Sequence, residues 1–220
     1  MTGSPGRESG RPLPHTHNTD MLDPHQEKVL ILDFGSQYTQ LIARRVRELK
    51  VYCEIHPYIM PLAAIKEFAP QGIILSGGPR SVYDRDAPSV DPDLFSLGVP
   101  VLGICYGIQL LNHLLGGEVA PAGAREYGHK TFTITNFDDL FYGLNPQEQV
   151  WMSHGDRVER LAPGFEVIGR SDSCPTGAIR DLSRRLYGVQ FHPEVHHTPR
   201  GKEVLSNFLF RICGLKPLWT

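Results

Sequence analysis

Cys105 occupies a short glycine-flanked turn between a predicted strand and a predicted helix. Glycines stand two positions before and two after it, an apolar run covers residues 99–102, and a helix-like pattern follows over 108–115. Such glycines permit the strained turn that lifts one side chain clear of a sheet, as in the nucleophile elbow of hydrolases. The amides and dipole at the start of the helix also favour the thiolate. The pattern predicts covalent chemistry by Cys105, with a buried cysteine packed beside a βα turn as the alternative.

A cysteine that attacks an amide needs a histidine as acid and base, and a carboxylate that orients the histidine. Residues 187–194 provide His192 and Glu194 at the end of an apolar strand. Alternation along an extended chain directs both side chains to the same side, and Pro193 ends the strand pairing. Among the ten histidines, His154 is the one serious rival. We favour His192 because only it combines a strand end with a same-side carboxylate.

The tetrahedral intermediate of such a reaction requires backbone amides that face its oxyanion. In an elbow, one donor is the N–H of the residue after the nucleophile, here Tyr106. Residues 75–79 form a glycine-rich turn after another predicted strand, where main chain can approach a substrate closely. This turn is the candidate for the second donor, and an ordinary connecting turn is the alternative.

Composition excludes several classes of protein. The chain has 220 residues and a formal net charge of -2, without the clustered basic residues expected of a protein that binds nucleic acid or an anionic membrane. The four cysteines are widely separated and form no C-x-x-C pair, so we expect neither a metal site nor a disulfide framework. No apolar stretch approaches the roughly 20 residues that span a bilayer. A cytoplasmic protein is expected.

The elements that must hold these residues alternate between strand and helix. Alternation of this kind predicts an α/β fold with a doubly wound, mostly parallel central sheet and flanking helices, followed by a β-rich second half. Residues 1–26 contain almost no aliphatic side chains and are predicted to be a disordered extension, before a domain over 27–213 and a tail over 214–220. Predicted strands cover 28–35, 51–55, 72–75, 99–104, 130–135, 149–152, 165–170, 177–180 and 186–191, and helices cover 37–49, 61–68, 94–97, 108–115 and 201–212.

Three separated motifs together resemble the class I (triad) glutamine amidotransferases, whose fold is flavodoxin-like. They are Gly-Ile-Cys-Tyr-Gly-Ile-Gln (103–109), Phe-His-Pro-Glu (191–194) and Leu-Ser-Gly-Gly-Pro (75–79), and the match extends over nearly all of 28–220. The resemblance implies hydrolysis of the glutamine side-chain amide through a glutamyl thioester. It assigns the catalytic triad to Cys105, His192 and Glu194, the oxyanion donors to Gly78 and Tyr106, and substrate binding to Gln109, Ser153, Gly155 and Asp156.

Within that family the chain most resembles the amidotransferase portion of GMP synthetases. The segments that carry this narrower resemblance are 32–38, 81–83, 153–156, 212–214 and 219–220. The similarity implies that ammonia passes to an ATP-pyrophosphatase partner that aminates XMP, with ATP and Mg²⁺ needed at the partner and no cofactor in this chain. Residues 76–81 superficially resemble the partner's phosphate loop, but Arg80 replaces its acidic residue and Pro79 removes an amide. The chain alone is therefore expected to make ammonia but not GMP.

Two other functions are possible from the residues. One is that of a stand-alone cysteine hydrolase of related fold, such as a γ-glutamyl hydrolase or a peptidase; Gln109 and the segment 153–156 argue against it. The other is that of a non-catalytic regulatory module, which the intact set of Cys105, His192 and Glu194 makes less attractive.

Overall fold

A nine-stranded mixed sheet forms the centre of the molecule. The computed structural model describes residues 1–2, 23 and 25–220, so most of the segment predicted to be disordered lies outside the described residues. The strands are β1 Lys28–Asp33, β2 Tyr52–Pro57, β3 Gly72–Leu75, β4 Val101–Ile104, β5 Glu118–Ile134, β6 Gln147–Arg160, β7 Glu166–Arg170, β8 Ala178–Asp181 and β9 Leu186–Val189. The helices are α1 Thr39–Glu48, α2 Leu62–Phe68, α3 Tyr106–Leu114 and α4 Gly201–Ser206, with a 3-10 turn at Pro92–Ser96 and a π-helical turn at Asn207–Ile212.

The strand order is β2-β1-β3-β4-β9-β8-β7-β5-β6. The five strands from β2 to β9 run parallel, and the remaining strands join them in antiparallel pairs. The predicted α/β class with a β-rich second half is confirmed. Because parallel strands end at one edge, the carboxyl ends of β3, β4 and β9 meet where ligands bind in open α/β sheets.

Helices cover both faces of the parallel half. Ile42 and Val46 of α1 and Val204 of α4 pack in one core cluster, whereas Ile65 of α2 and Leu110 of α3 pack in the other. A strand buried on both faces carries apolar side chains on both of them, which explains why β1, β3 and β4 are continuous apolar runs. Among the described residues, no helix has the length and apolarity needed to cross a membrane.

Several element boundaries differ from those predicted. β5 and β6 are much longer than the predicted strands at 130–135 and 149–152. Alternate residues of β6 are buried, but His154 takes one of the buried positions, so hydrophobic alternation in the sequence stops at Met152. The helix predicted at 94–97 is the 3-10 turn, which Asp91 caps by accepting a hydrogen bond from the Asp93 N–H at 3.0 Å.

The segment after the last helical turn packs back onto the parallel half. Leu215 is buried, and the Trp219 N–H donates to the carbonyl of Lys50 at 2.8 Å. The Trp219 ring also meets Tyr52 edge to face, with centroids 4.9 Å apart. Residues 214–220 therefore lie against the β2 edge of the sheet.

Gly103 in β4 and Gly107 at the start of α3 allow the helix to pack directly on the sheet. A Cβ atom at Gly103 would lie 2.5 Å from the carbonyl carbon and oxygen of Gly107, and one at Gly107 would lie 2.5 Å from the carbonyl oxygen of Leu75. These neighbours are backbone atoms, which cannot rotate away. The turn that carries Cys105 is thus closed by main chain packed on main chain.

Gly103→Ala tests this packing. We expect the free energy of unfolding in urea to fall by about 1–3 kcal/mol, because the added methyl group must push the backbone of α3 away from β4. Gly123→Ala is the matched control, since nothing lies within 4 Å of a Cβ at Gly123. The control should change stability by no more than about 0.5 kcal/mol. Equal stability of the two variants would contradict the packing argument.

Candidate active site

Cys105 lies on a strained turn between β4 and α3. Its backbone has φ 54 and ψ -105, a region that a residue with a side chain rarely adopts. The Cys105 N–H donates to the carbonyl of Val189 at 2.9 Å, which continues the pairing of β4 with β9 one residue past the end of β4. The sulfur lies 3.5 Å from the carbonyl oxygen of Ser153 on β6. The predicted elbow is therefore present, and its thiol faces the antiparallel half of the sheet.

His192 is held by hydrogen bonds to its own backbone. Its N–H donates to the carbonyl of Trp151 at 3.1 Å, and its carbonyl accepts from the Thr198 hydroxyl at 2.6 Å. The same hydroxyl accepts from the Trp151 N–H at 3.0 Å. Sequence reasoning missed Thr198 and Trp151, because neither belongs to a motif and only the fold brings them beside His192.

Glu194 forms a fully buried partner for His192. The Nδ1 atom of His192 lies 2.8 Å from Oε1 of Glu194, as the extended backbone across Pro193 predicts. The Glu194 carbonyl in turn accepts from Nε of Arg45 on α1 at 3.2 Å. With Nδ1 engaged, Nε2 is the ring nitrogen of His192 that remains free to act toward Cys105, which lies beside the same glycine, Gly77, as the ring.

The surroundings of His192 favour the imidazolium. Burial by itself lowers the pKa of His192, but the negative charges of Glu194 and Cys105 and the hydrogen bonds to both outweigh it, so the pKa lies well above its ordinary value. A histidine that keeps its proton at neutral pH beside a thiol supports a thiolate–imidazolium pair. The pair is prepared to attack a carbonyl and then to protonate a leaving amine.

His154 differs from His192 in having both ring nitrogens engaged. Its Nδ1 lies 2.8 Å from the carbonyl oxygen of Asp156, and its Nε2 lies 2.7 Å from Oε2 of Glu126. His154 thus also has a carboxylate partner, although it lies inside a strand and the carboxylate comes from a different strand. Glu126 stands opposite His154 in the register of β5 and β6, which no local pattern reveals. No ring nitrogen of His154 remains for Cys105, and the geometry favours His192 as the base for this reason.

Two residues that line the same cleft as Cys105 have amides without backbone partners. In the part of the chain that the structure describes, neither the Gly78 N–H nor the Tyr106 N–H donates to a protein carbonyl. Gly78 approaches β1 so closely that a Cβ atom there would lie 2.6 Å from the carbonyl oxygen of Phe34. Gly77 lies beside both catalytic candidates, since its Cβ would be 3.2 Å from Cε1 of His192 and 3.5 Å from Cβ of Cys105.

A cleft of about 730 Å³ opens above Cys105. All the predicted site residues line it except Glu194, which is buried behind His192: they are Gly78, Cys105, Tyr106, Gln109, Ser153, Gly155, Asp156 and His192. The Asp156 carboxylate accepts hydrogen bonds from the hydroxyls of Ser81 and Tyr83, the latter at 2.7 Å. Ser81 and Tyr83 are further polar residues of the cleft that the sequence did not single out as site residues.

Gln109 makes its contacts within the protein. Its Nε2 donates to the carbonyl of Asp156 at 2.8 Å and to Oε1 of Gln190 at 3.2 Å, and the side chain is almost fully buried. Gln109 therefore lines the cleft and also holds the backbone of Asp156 through a hydrogen bond to its carbonyl.

Glu194→Gln tests the origin of the raised pKa. We expect the NMR titration midpoint of His192 to move down by about 1 unit or more, because a neutral amide no longer stabilises the imidazolium. Alkylation of Cys105 by iodoacetamide at neutral pH should slow in parallel. Glu54→Gln is the matched control and should leave the titration midpoint of His192 unchanged. It removes a carboxylate that contacts a different histidine, His56, at the same 2.8 Å, in a pair whose side chains are both about one-third exposed. An unmoved midpoint in Glu194→Gln would contradict the assignment.

Comparison with known proteins agrees with this geometry. Residues 30–212 match the family model described as Glutamine amidotransferase class-I. The chain is 56% identical over 200 residues to GMP synthase [glutamine-hydrolyzing] of Heliobacterium modesticaldum, covering 91% of this chain and 39% of the relative. It is 58% identical over 193 residues to the protein of the same name from Carboxydothermus hydrogenoformans, covering 88% of this chain and 38% of the relative. The chain thus spans about two fifths of the length of these curated relatives.

Solved structures give the same fold. A Thermoplasma acidophilum protein, provisionally described as a subunit of GMP synthase, superposes with a TM-score of 0.72 at 29% identity, covering 85% of this chain and 94% of that one. A Thermotoga maritima glutamine amidotransferase superposes with a TM-score of 0.68 at 19% identity, covering 86% and 99%, a likeness that concerns the fold alone. Because the family model spans most of the chain and its residues include every motif around Cys105, the chain belongs to the class-I glutamine amidotransferase family.

Proposed function

We propose that this chain hydrolyses the side-chain amide of glutamine and delivers the ammonia to a synthetase that aminates XMP. The observation that carries the proposal is the arrangement at Cys105: Cys105 and His192 line the same cleft, and the buried carboxylate of Glu194 contacts Nδ1 of His192 from behind at 2.8 Å. Family membership supports glutamine as the amide that enters.

The first half of the reaction releases ammonia. The Cys105 thiolate attacks the side-chain carbonyl carbon of glutamine, and the negative charge moves to the carbonyl oxygen, where the N–H groups of Gly78 and Tyr106 are available. As the carbon–nitrogen bond breaks, the imidazolium of His192 gives its proton to the leaving nitrogen. The products of this half are ammonia and a glutamyl thioester on Cys105.

The second half restores the enzyme. Neutral His192 takes a proton from a water molecule, whose oxygen attacks the thioester carbon. Glutamate leaves, the sulfur departs as thiolate, and His192 is again the imidazolium. Glu194 keeps the ring in one orientation in both halves, since its contact with Nδ1 leaves the other nitrogen directed at the reacting atoms.

The acidic part of the cleft suits the amino-acid end of the substrate. Asp156 presents a carboxylate to an ammonium group and is oriented by Ser81 and Tyr83. We assign Ser153 and Gly155 to contacts along the same part of the substrate, and Gln109 to support of the Asp156 backbone. The presence of a carboxylate in the same cleft as the thiol supports an amino acid rather than a simple amide as substrate.

The assignment to GMP formation rests on the relatives. Those named GMP synthase [glutamine-hydrolyzing] align with most of this chain at 56% and 58% identity, and their remaining length exceeds the matched part. We assign the use of ATP and Mg²⁺ to an ATP-pyrophosphatase partner and none to this chain. All four cysteines are free, which supports action in a reducing compartment such as the cytoplasm.

Cys105→Ala provides the direct test of the proposed function. We expect ammonia release from glutamine to fall to background in the presence of a GMP synthetase partner, while the far-UV circular dichroism spectrum is retained. Labelling by 6-diazo-5-oxo-L-norleucine should locate on Cys105 in the wild type, since burial raises the pKa of Cys53 to about 11 and that of Cys174 to about 12. Cleavage of γ-glutamyl peptides without ammonia release from glutamine would instead identify a related hydrolase.

His192→Ala tests the choice between the two buried histidines. We expect kcat for glutamine hydrolysis to fall by about 10²–10⁴-fold, the usual contribution of a positioned acid and base. His113→Ala, which removes an exposed histidine from the same helix that follows the elbow, should leave kcat unchanged. Wild-type activity in His192→Ala would rule out this mechanism.

A further inference from the structure

A second buried histidine–carboxylate pair lies beside the one at Cys105. Glu126 on β5 and His154 on β6 are both at least nine-tenths buried, and their contacting atoms are 2.7 Å apart. Among the described residues, Oε1 of Glu126 has no hydrogen-bond partner, and Nζ of Lys130 lies 3.9 Å from it. The proposed reaction uses neither side chain, so their burial requires another explanation.

His154 links the two strands to one carbonyl of the cleft. A carbonyl oxygen can only accept, so Nδ1 of His154 carries the hydrogen in its 2.8 Å contact with Asp156. The 2.7 Å contact with Glu126 needs a second hydrogen, shared between Nε2 and Oε2, because two lone pairs cannot bond to each other. The ring therefore bridges Glu126 on one strand and the backbone of Asp156 on the other.

The backbone pairing of the two strands is interrupted at this point. Pro121 pairs with Asp156 and Glu126 pairs with His154, so residues 122–125 of β5 bulge out opposite Gly155. A bulge removes ladder hydrogen bonds and bends the strand. The segment 153–156 thus depends on side chains for its position. It includes the Ser153 carbonyl beside Cys105 and the Asp156 carboxylate proposed to bind the substrate.

We propose that Glu126 and His154 form a positioning pair that holds the segment 153–156 across the β5 bulge and so places Asp156 for the ammonium group of the substrate. The inference rests on the proposed function, because it takes glutamine as the ligand. Neither residue is assigned contact with the reacting atoms, and Gln109 acts on the same Asp156 carbonyl from α3.

A metal site is the alternative use of these side chains. Ligand atoms of Glu126, His154 and Cys174 lie within 4.8 Å of one another. The 2.7 Å between Oε2 and Nε2 is a hydrogen-bond distance and leaves no metal between the two atoms, and burial keeps the Cys174 thiol protonated by raising its pKa to about 12. The geometry therefore points to a directly bonded pair.

The experiment compares three substitutions at Glu126 in the full chain with a GMP synthetase partner. Glu126→Ala should raise KM for glutamine about tenfold, the effect of one lost buried hydrogen bond, and change kcat by less than about twofold. Glu126→Gln should restore KM to within about threefold, because its amide N–H can donate to Nε2 of the neutral imidazole. Should Glu126→Ala fail to fold, Glu126→Asp, which shortens the reach by one methylene group, should show the same selective rise in KM.

Two labels of Cys105 separate positioning from general damage to the site. Iodoacetamide has no amino-acid end, so its rate with Glu126→Ala should equal that of the wild type. Labelling by 6-diazo-5-oxo-L-norleucine, which carries the ammonium and carboxylate groups of an amino acid, should slow about tenfold. Lys130→Ala is the control, since Lys130 is the other charged group near Glu126 and should affect neither label.

Three results would overturn the inference. They are an unchanged KM in Glu126→Ala, equal slowing of both labels, and one equivalent of zinc in the purified wild-type protein that the substitution removes. Failure of the proposed function is distinguishable, because the wild type would then release no ammonia from glutamine whatever the state of Glu126.

Discussion

Around Cys105 main chain packs directly on main chain, and the rest of the site depends on that contact. Gly103 and Gly107 bring the first turn of α3 against the ends of β3 and β4 with no side chain between them. A residue with φ 54 costs about 1–3 kcal/mol in such a position, and it persists only where its surroundings leave no alternative. The hydrogen bond from the Cys105 N–H to Val189 supplies that constraint from β9. The thiol is therefore presented by the core of the parallel sheet rather than by a loop.

The antiparallel half of the sheet completes the site, because its long strand β6 passes over the ends of β3 and β4. β6 contributes the carbonyl of Trp151 that holds His192, the carbonyl of Ser153 near the sulfur and the carboxylate of Asp156. One strand thus connects the proposed base, the proposed nucleophile and the proposed substrate end. A small displacement of β6 would move all three together. The contacts that fix β6 at the bulge in β5 therefore affect the whole site.

The two buried histidines illustrate how environment rather than residue type decides a role. Both have a carboxylate oxygen within 2.8 Å of one ring nitrogen. His192 directs its other nitrogen at a thiol, and its pKa is raised by the charges of Glu194 and Cys105 against the effect of burial. His154 directs its other nitrogen at a backbone carbonyl, and burial lowers its pKa. The first arrangement can move a proton to a reacting atom, whereas the second can hold a strand.

Local signals in the amino-acid sequence were enough to establish the α/β class, the parallel strands and the cluster of candidate residues around Cys105. Continuous apolar runs indicate strands buried on both faces, flanking glycines indicate the elbow, and alternation across Pro193 directs His192 and Glu194 to one side. The lengths of β5 and β6, the partners of Asp156 and the pairing of Glu126 with His154 became visible only in the folded chain. These depend on strand register across a bulge and on contacts between distant segments, such as the 75 positions that separate Ser81 from Asp156. A buried polar residue also breaks the hydrophobic alternation by which a strand is recognised, so the segment that carries His154 was the part of the fold least visible in the sequence.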